Sequence, residues 1–251
     1  MFYFRNLCGN EITKEEFVEN FSKCYFISDR YDDRFNLNTN KSSKYVEDEI
    51  CNVLHNGVKN TLDVKKILAW KIGKIKHYDS KKAEEIIYAA DWQGKDNLCA
   101  KRYGRKMDLT DLADYICNNF EELRNTAVDK PQHVLNLLND VLNEHRIRGI
   151  GTVYLLALLF FISNGEYPIY DRFAVKAVNA IKNKNAIPEK KGFLPDPIEL
   201  PYRNSAEFSS IMCTKMNDYI NDLQSIFGEE YKTNRDIDRA LWVYGHAFWF
   251  K

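Results

Sequence analysis

Asp171 is a lone aspartate that follows a long apolar stretch and stands where a carboxylate can do chemistry. It comes after TVYLLALLFFISNGEYPIY and directly precedes RFAVKAV, whose apolar spacing predicts a helix. The exposed N–H groups at a helix start keep such a carboxylate ionised, so it can stabilise a developing positive charge or accept a proton from water. The same position suits a simple helix cap, which contributes about 1 kcal/mol to stability. Asp171 by itself does not separate these two roles.

A turn with two glycines lies upstream of Asp171, between two predicted helices. The segment VLNLLNDVLNEH is followed by RIRGIG, and TVYLLALL begins directly afterwards. Glycines allow a sharp turn and a close approach of another molecule, and the free N–H groups that start the second helix can hold a phosphate without reading base sequence. Arg148, Gly149, Gly151 and Thr152 are therefore candidate contacts to a nucleic-acid backbone. An ordinary helical hairpin uses glycine in the same way.

The composition favours a folded chain and limits the classes of protein to which it can belong. Of the 251 residues, 45% are hydrophobic, so the chain can bury a sizeable core. The longest apolar run, TVYLLALLFFI, is too short to span a bilayer, and the first residues lack the pattern of a signal peptide. The six cysteines are scattered without metal-ligand spacing, which predicts reduced thiols, no metal site and a cytoplasmic protein.

The net charge is zero, but the charge is unevenly distributed along the chain. Residues 59–106 hold 13 Lys and Arg against 6 Asp and Glu, whereas residues 10–49 hold 6 against 10. Basic residues interleaved with aromatics can contact phosphates, and Lys101, Arg102 and Arg105 are the candidate DNA contacts of this segment. A solvated face rich in lysine explains the same composition.

Apolar residues recur at helical spacing along nearly the whole chain, and alternating strand-like runs are scarce. Thr13 and Glu16 have the spacing of a capping box at the start of the first helix. The fold class predicted from this pattern is all-α. Helices are predicted over residues 13–26, 44–57, 63–75, 80–92, 109–123, 131–145, 152–163, 172–182, 205–228 and 234–250.

The combined pattern around the glycine turn resembles that of the helix-hairpin-helix DNA glycosylases, the superfamily of endonuclease III, 8-oxoguanine glycosylase and the alkyladenine glycosylases. Its parts are the apolar helix VLNLLNDVLNEH, the hairpin RGIG, the second apolar helix TVYLLALLFFIS and the segment YPIYDRFAVKAV. The match covers about one-fifth of the chain and puts Asp171 at the position of the family's catalytic aspartate.

The resemblance implies a two-lobed helical fold with an active-site cleft between the lobes. The position after Gly-x-Gly-Thr, where bifunctional members carry a lysine, holds Val153. The resemblance is therefore to the monofunctional members, which release the base without cleaving the strand. Two departures are the absence of the iron–sulfur cysteine cluster of the endonuclease III branch and an extra residue, Tyr170, in the usual Pro-Val-Asp pattern. No cofactor is implied beyond a monovalent cation at the hairpin.

A base flipped out of DNA needs aromatic side chains on which it can stack. The last predicted helix offers Trp242, Tyr244 and His246, and Tyr170 precedes the candidate aspartate. These four residues are the candidates for a base pocket. Packing in the core is the more common role of such residues, and it applies to each of them.

The sequence predicts three consecutive parts: a mainly N-terminal helical lobe over 1–130, the helix-hairpin-helix segment with the aspartate loop over 131–187, and C-terminal helices that complete the fold over 188–251. The leading hypothesis is a monofunctional DNA glycosylase, a monomer that acts on double-stranded DNA at the nucleoid, without a membrane or an obligate protein partner. A helix-hairpin-helix module that binds DNA without chemistry is the alternative, and a helical protein scaffold is a third. The sequence does not distinguish between an alkylated, an oxidised and a phage-type modified base as the one that is excised.

Overall fold

The computed structural model describes residues 1–25, 41–72, 75–80, 83–88, 98–102, 105–188 and 201–248. Within these ranges the chain is mostly helical, as the sequence predicts. The helices are α1 (Lys14–Tyr25), α2 (Lys41–Asn56), α3 (Thr61–Lys71), α4 (Thr110–Asn118), α5 (Phe120–Asp129), α6 (Pro131–Glu144), α7 (Thr152–Ile162), α8 (Arg172–Lys182), α9 (Phe208–Phe227), α10 (Glu230–Thr233) and α11 (Arg235–Gly245). The strands are β1 (Ile75–Ser80), β2 (Ala83–Tyr88), β3 (Cys99–Arg102) and β4 (Arg105–Asp108).

The chain divides into two compact units, each made of more than one segment. The first, which we call the terminal unit, comprises Met1–Asn40, Tyr170–Glu199 and Lys215–Lys251. The second, the central unit, comprises Lys41–Ile169 and Leu200–Thr214. This division differs from the three consecutive parts expected from the sequence, because the first and last segments of the chain contribute to one unit.

Helix α7 belongs to the core of the central unit. Its sequence TVYLLALLFFI is apolar on nearly every side, and every residue except Val153 is buried. A helix of this kind must be covered all round. Helices α3, α5 and α6 pack against it, and the ring of Trp70 on α3 meets that of Phe161 edge-on with the centroids 5.8 Å apart. The prediction of a buried core helix is confirmed, and among the described residues no helix is long and apolar enough to cross a membrane.

Residues 75–108 contain two β-hairpins, and the second strand of the first hairpin lies where the sequence analysis predicted a helix. β1 pairs antiparallel with β2, starting with Ile75 opposite Tyr88, and β3 pairs antiparallel with β4. The helix predicted over 80–92 is therefore wrong, because residues 83–88 form β2; residues 89–92 lie outside the described ranges. The sequence of β2, AEEIIY, carries isoleucine and tyrosine, which favour a strand when a partner strand pairs with it.

Helices α1, α8 and α11 pack together in the terminal unit. Phe17 and Phe21 of α1 contact Tyr244 of α11, with ring centroids 5.0 and 4.9 Å apart. Helix α11 also approaches α8 very closely at Gly245, where an added Cβ atom would lie 1.9 Å from the carbonyl oxygen of Phe173. This crossing of α11 and α8 therefore requires a residue without a side chain.

Short residue patterns set the start of α1 and the end of α7. The capping box predicted for α1 is present: the Thr13 N–H donates to Glu16 Oε2 at 2.8 Å, and the Glu16 N–H donates to Thr13 Oγ1 at 3.1 Å. Helix α7 ends with Asn164 and Gly165 in the left-handed region, with φ of 55° and 87°. This turn directs the chain into the loop that leads to Asp171.

Candidate functional site

Helix α6 ends in a Schellman turn whose left-handed residue is an arginine. The Ile147 N–H donates to the carbonyl of Leu142 at 2.8 Å, and the Arg146 N–H donates to the carbonyl of Asn143 at 3.1 Å. Arg146 has a φ of 54° at the position that glycine usually fills. The left-handed conformation costs a residue with a side chain roughly 1–2 kcal/mol. Local stability therefore does not explain why an arginine stands here.

The hairpin after α6 alternates between buried anchors and outward-facing groups. Ile147 and Ile150 are 4% and 3% exposed, so both anchor the turn in the core. Arg148 lies between them and is exposed, and Gly149 has a φ of 88° that L side chains rarely adopt. The isoleucines thus fix the turn in place while the Arg148 side chain lies at the surface.

Helix α7 begins at Gly151 without a side chain that caps its first N–H groups. Gly151 is exposed, with φ of −105° and ψ of −179°, and an added Cβ atom would have nothing within 4 Å. Thr152, a candidate DNA contact, is buried, and its hydroxyl donates to the carbonyl of Pro201 at 2.6 Å. An anion can therefore approach the backbone of this helix start, whereas the Thr152 hydroxyl holds two chain segments together.

Arg203 reaches the hairpin from a distant segment of the same unit. One guanidinium nitrogen donates to Asn139 Oδ1 at 3.2 Å and to Asn143 Oδ1 at 2.7 Å, and the other donates to the carbonyl of Ile147 at 3.0 Å. None of these acceptors carries a charge, and burial lowers the pKa of Arg203. Sequence reasoning missed this residue, because only the tertiary structure brings it to the hairpin and no local spacing pattern marks it.

The end of α6, the hairpin and the segment that carries Arg203 line a concavity of about 460 Å³. Its lining contains no carboxylate, and neither Arg146 nor Arg148 has an ion pair among the described residues. Three guanidinium groups with no opposing charge attract an anion, and their planar donors suit phosphate oxygens. The polar residues that line the concavity are Asn143, Arg146, Arg148, Arg203 and Asn204.

Asp171 begins α8 as its N-cap residue, within the terminal unit. Its backbone is extended, with φ of −117° and ψ of 141°, and Oδ1 accepts a hydrogen bond from the Phe173 N–H at 2.9 Å. The residue is half-buried. The carboxylate thus lies at the positive end of a helix, where the N–H groups favour its ionised form and fix its orientation. This arrangement suits a helix cap and a catalytic carboxylate equally well.

Two tyrosines pack together next to Asp171 in the terminal unit. Tyr170, a candidate for base stacking, is 4% exposed, and its ring meets that of Tyr219 on α9 edge-on with the centroids 5.5 Å apart. Burial raises the pKa of both phenols, and the Asp171 carboxylate raises that of Tyr219 further. Both hydroxyl groups are therefore neutral at physiological pH.

Trp242 of α11 and His246, the C-cap residue of that helix, form an aromatic cluster with Phe173. The His246 ring stacks on that of Phe173 with the centroids 3.4 Å apart and lies 4.2 Å from that of Trp242. Nδ1 of His246 is 2.7 Å from the Trp242 carbonyl oxygen, so this nitrogen carries the hydrogen and donates it. Tyr244, by contrast, is 1% exposed and packs against α1. The structure thus brings Trp242 and His246 together near the start of α8, and it places the third candidate, Tyr244, in the core.

The three basic candidates lie in the second β-hairpin of the central unit. Lys101 and Arg102 belong to β3, Arg105 belongs to β4, and the register pairs Arg102 with Arg105. Their side chains lie outside the described part of the molecule. Their contact with DNA stays a prediction.

The described residues include no group of three or more His, Cys, Asp or Glu side chains that could hold a metal ion. The six cysteines are free thiols, and burial raises the pKa of Cys24 and Cys213, so these two thiols stay protonated. The expectation that the protein needs no cofactor beyond a monovalent cation at the hairpin stays a prediction.

The candidate residues fall into two groups, one in each unit. The central unit carries the arginine-lined concavity at the hairpin, and the terminal unit carries Asp171 with Tyr170 and Tyr219. Comparison with protein-family models, with curated proteins and with solved structures finds no match to this chain.

Proposed function

We propose that this protein is a monofunctional DNA glycosylase, which hydrolyses the N-glycosidic bond of a damaged or modified base flipped out of double-stranded DNA. The observation that carries the proposal is the position of the Asp171 carboxylate at the start of α8. Its Oδ1 accepts a hydrogen bond from the Phe173 N–H at 2.9 Å, and the residue is half-buried. The sequence pattern that precedes Asp171 is the second support.

Hydrolysis of an N-glycosidic bond builds positive charge on the sugar in the transition state. A carboxylate held in advance near the sugar stabilises that charge without reorganising, and it accepts the proton that the attacking water loses. The bond from the sugar carbon to the base breaks with its electron pair on the base, while the water oxygen joins the sugar carbon. Val153 stands where a lysine would be needed for a covalent route, so the proposed reaction uses water alone.

The concavity at the hairpin supports double-stranded DNA as the partner. Arg146 and Arg148 are exposed, and Arg203 is half-buried beside them, so a backbone phosphate finds guanidinium donors together with the open start of α7. Such contacts position the duplex but carry no base sequence. The proposed enzyme therefore binds any duplex at the hairpin and selects its substrate at the flipped base.

A second candidate function has one specific observation in its favour. The hydrogen bond from the Phe173 N–H to Asp171 is what a helix cap needs, so a cap alone accounts for this contact. Under this alternative the protein is a helix-hairpin-helix module that binds the DNA backbone and leaves the bases in place.

The two functions are separated by the products left in DNA. The protein is incubated with duplexes that carry an alkylated purine, an oxidised guanine or a phage-type modified base, and with unmodified duplex as the control. A glycosylase releases the free base, detected by mass spectrometry, and leaves alkali-labile abasic sites at the same positions. Binding to all of these duplexes with no released base and no alkali-labile site supports the non-catalytic module instead.

A further inference from the structure

Tyr219 carries a buried hydroxyl group that has no hydrogen-bond partner among the described residues. The residue is 4% exposed, and it lies on α9 in the part that belongs to the terminal unit. Buried hydroxyl groups almost always have a partner, because an unpaired one loses its hydrogen bonds to water and gains nothing in return. A buried hydroxyl in this condition next to a candidate active site is suited to hold a water molecule.

The surroundings of this hydroxyl connect it to Asp171. The Tyr219 ring contacts the ring of Tyr170 at a centroid distance of 5.5 Å, and Tyr170 is the residue directly before Asp171. After burial, the Asp171 carboxylate is the largest influence that raises the pKa of the Tyr219 phenol, ahead of Asp222. Asp222 itself forms an ion pair with Lys182 of α8, which ties α9 to the helix that Asp171 begins.

We infer that Tyr219 positions the attacking water, with its hydroxyl donating a hydrogen bond to the water oxygen while the Asp171 carboxylate accepts a hydrogen bond from the same water. This inference rests on the proposed function. It makes Tyr219 a positioning residue, since it acts on the water and keeps its own proton throughout.

The step balances as a hydrolysis. One lone pair of the water accepts the Tyr219 hydrogen bond, and the other forms the new bond to the sugar carbon as the bond to the base nitrogen breaks. The proton that the water loses passes to Asp171 and then to the departing base. The Tyr219 hydroxyl is suited to this task because its raised pKa keeps the phenol protonated, and therefore a donor, at physiological pH, where the carboxylate is ionised.

Tyr219→Phe tests the inference, because it keeps the ring that contacts Tyr170 and removes only the hydroxyl. We expect the kcat of base release to fall about tenfold, the effect of losing one hydrogen bond, with KM for the DNA unchanged and thermal stability undiminished. Added methanol provides a readout that does not depend on the folded fraction, because methanol competes with water for the sugar carbon. The ratio of methanolysis to hydrolysis should rise in this variant. Tyr115→Phe, which removes a hydroxyl in the central unit, should leave both quantities at wild-type values.

The outcomes separate this inference from the proposed function. A wild-type protein that releases no base from any duplex overturns both. If the wild type is active and Tyr219→Phe matches it in rate and product ratio, only the role of Tyr219 is refuted. A slower variant with an unchanged product ratio also refutes it, since a structural defect changes the rate but does not change the choice between water and methanol.

Discussion

Comparison of the variants Gly151→Asp and Gly151→Asn tests whether the start of α7 contacts a DNA phosphate. Gly151 is exposed, an added Cβ has nothing within 4 Å, and its φ of −105° suits any residue. Both side chains can cap the helix N-terminus, so each variant should be as stable as the wild type or more stable by a few tenths of a kcal/mol. The two side chains have nearly the same shape, and the pair therefore differs in one negative charge.

The expected effect on DNA binding follows from Coulomb's law. A carboxylate at residue 151 and a phosphate at the helix start would lie about 5 Å apart, and their repulsion is then about 1–3 kcal/mol for an effective dielectric constant between those of water and a protein surface. Gly151→Asp should therefore bind DNA roughly 5- to 150-fold more weakly than Gly151→Asn. The loss should be equal for modified and unmodified duplex, because phosphate contacts carry no sequence information.

The assay is fluorescence anisotropy with a labelled duplex at several salt concentrations, next to urea unfolding of both variants. Raised salt should narrow the difference between the two, since it screens the repulsion. Wild-type DNA affinity of both folded Gly151→Asp and folded Gly151→Asn would refute the assignment of the hairpin to the DNA surface. Equal weakening of both variants would instead indicate a steric effect.

Three further predictions concern strain, packing and chemistry. Arg146→Gly removes the side chain from a residue with φ of 54°, so the free energy of unfolding in urea should rise by about 1 kcal/mol. The variant should also lose one phosphate contact, which makes the negative slope of log affinity against log salt shallower by about 0.9. Unchanged DNA binding would show that Arg146 does not contact DNA. Gly245→Ala puts a Cβ atom 1.9 Å from a carbonyl oxygen of α8 and should cost about 1–3 kcal/mol; an unchanged unfolding midpoint would contradict this packing. Borohydride should trap no adduct with substrate DNA, because Val153 has no amine and the Lys176 amine is buried and donates to a backbone carbonyl; a trapped adduct would contradict a monofunctional mechanism.

Residues close together in the sequence carried the successful predictions. The capping box of Thr13 and Glu16, the buried α7 and the position of Asp171 at the start of α8 all depend on patterns within a few residues. Such patterns act on local backbone groups or on the faces of one helix, so they are visible without tertiary structure.

Features that need two distant segments were missed. The strand β2 was predicted as a helix, since AEEIIY shows its strand preference only when β1 is available as a partner. Arg203 was not singled out, because its role depends on contacts with α6 and the hairpin. Tyr219 was not singled out either, because its unpartnered hydroxyl is visible only when its neighbours are known.

Catalysis by Asp171 is the central claim, and base release by Asp171→Asn tests it most directly. Asn keeps the shape and the ability to cap α8 through the Phe173 N–H, but it has no charge to stabilise a cationic sugar. We predict that single-turnover release of the excised base falls by at least roughly 100-fold, while DNA affinity and thermal stability remain near wild type. Glu16→Gln is the matched control, since it removes a carboxylate that caps α1 in the same unit, and it should release the base at the wild-type rate. Release by Asp171→Asn at the wild-type rate would contradict the claim and leave Asp171 as a helix cap.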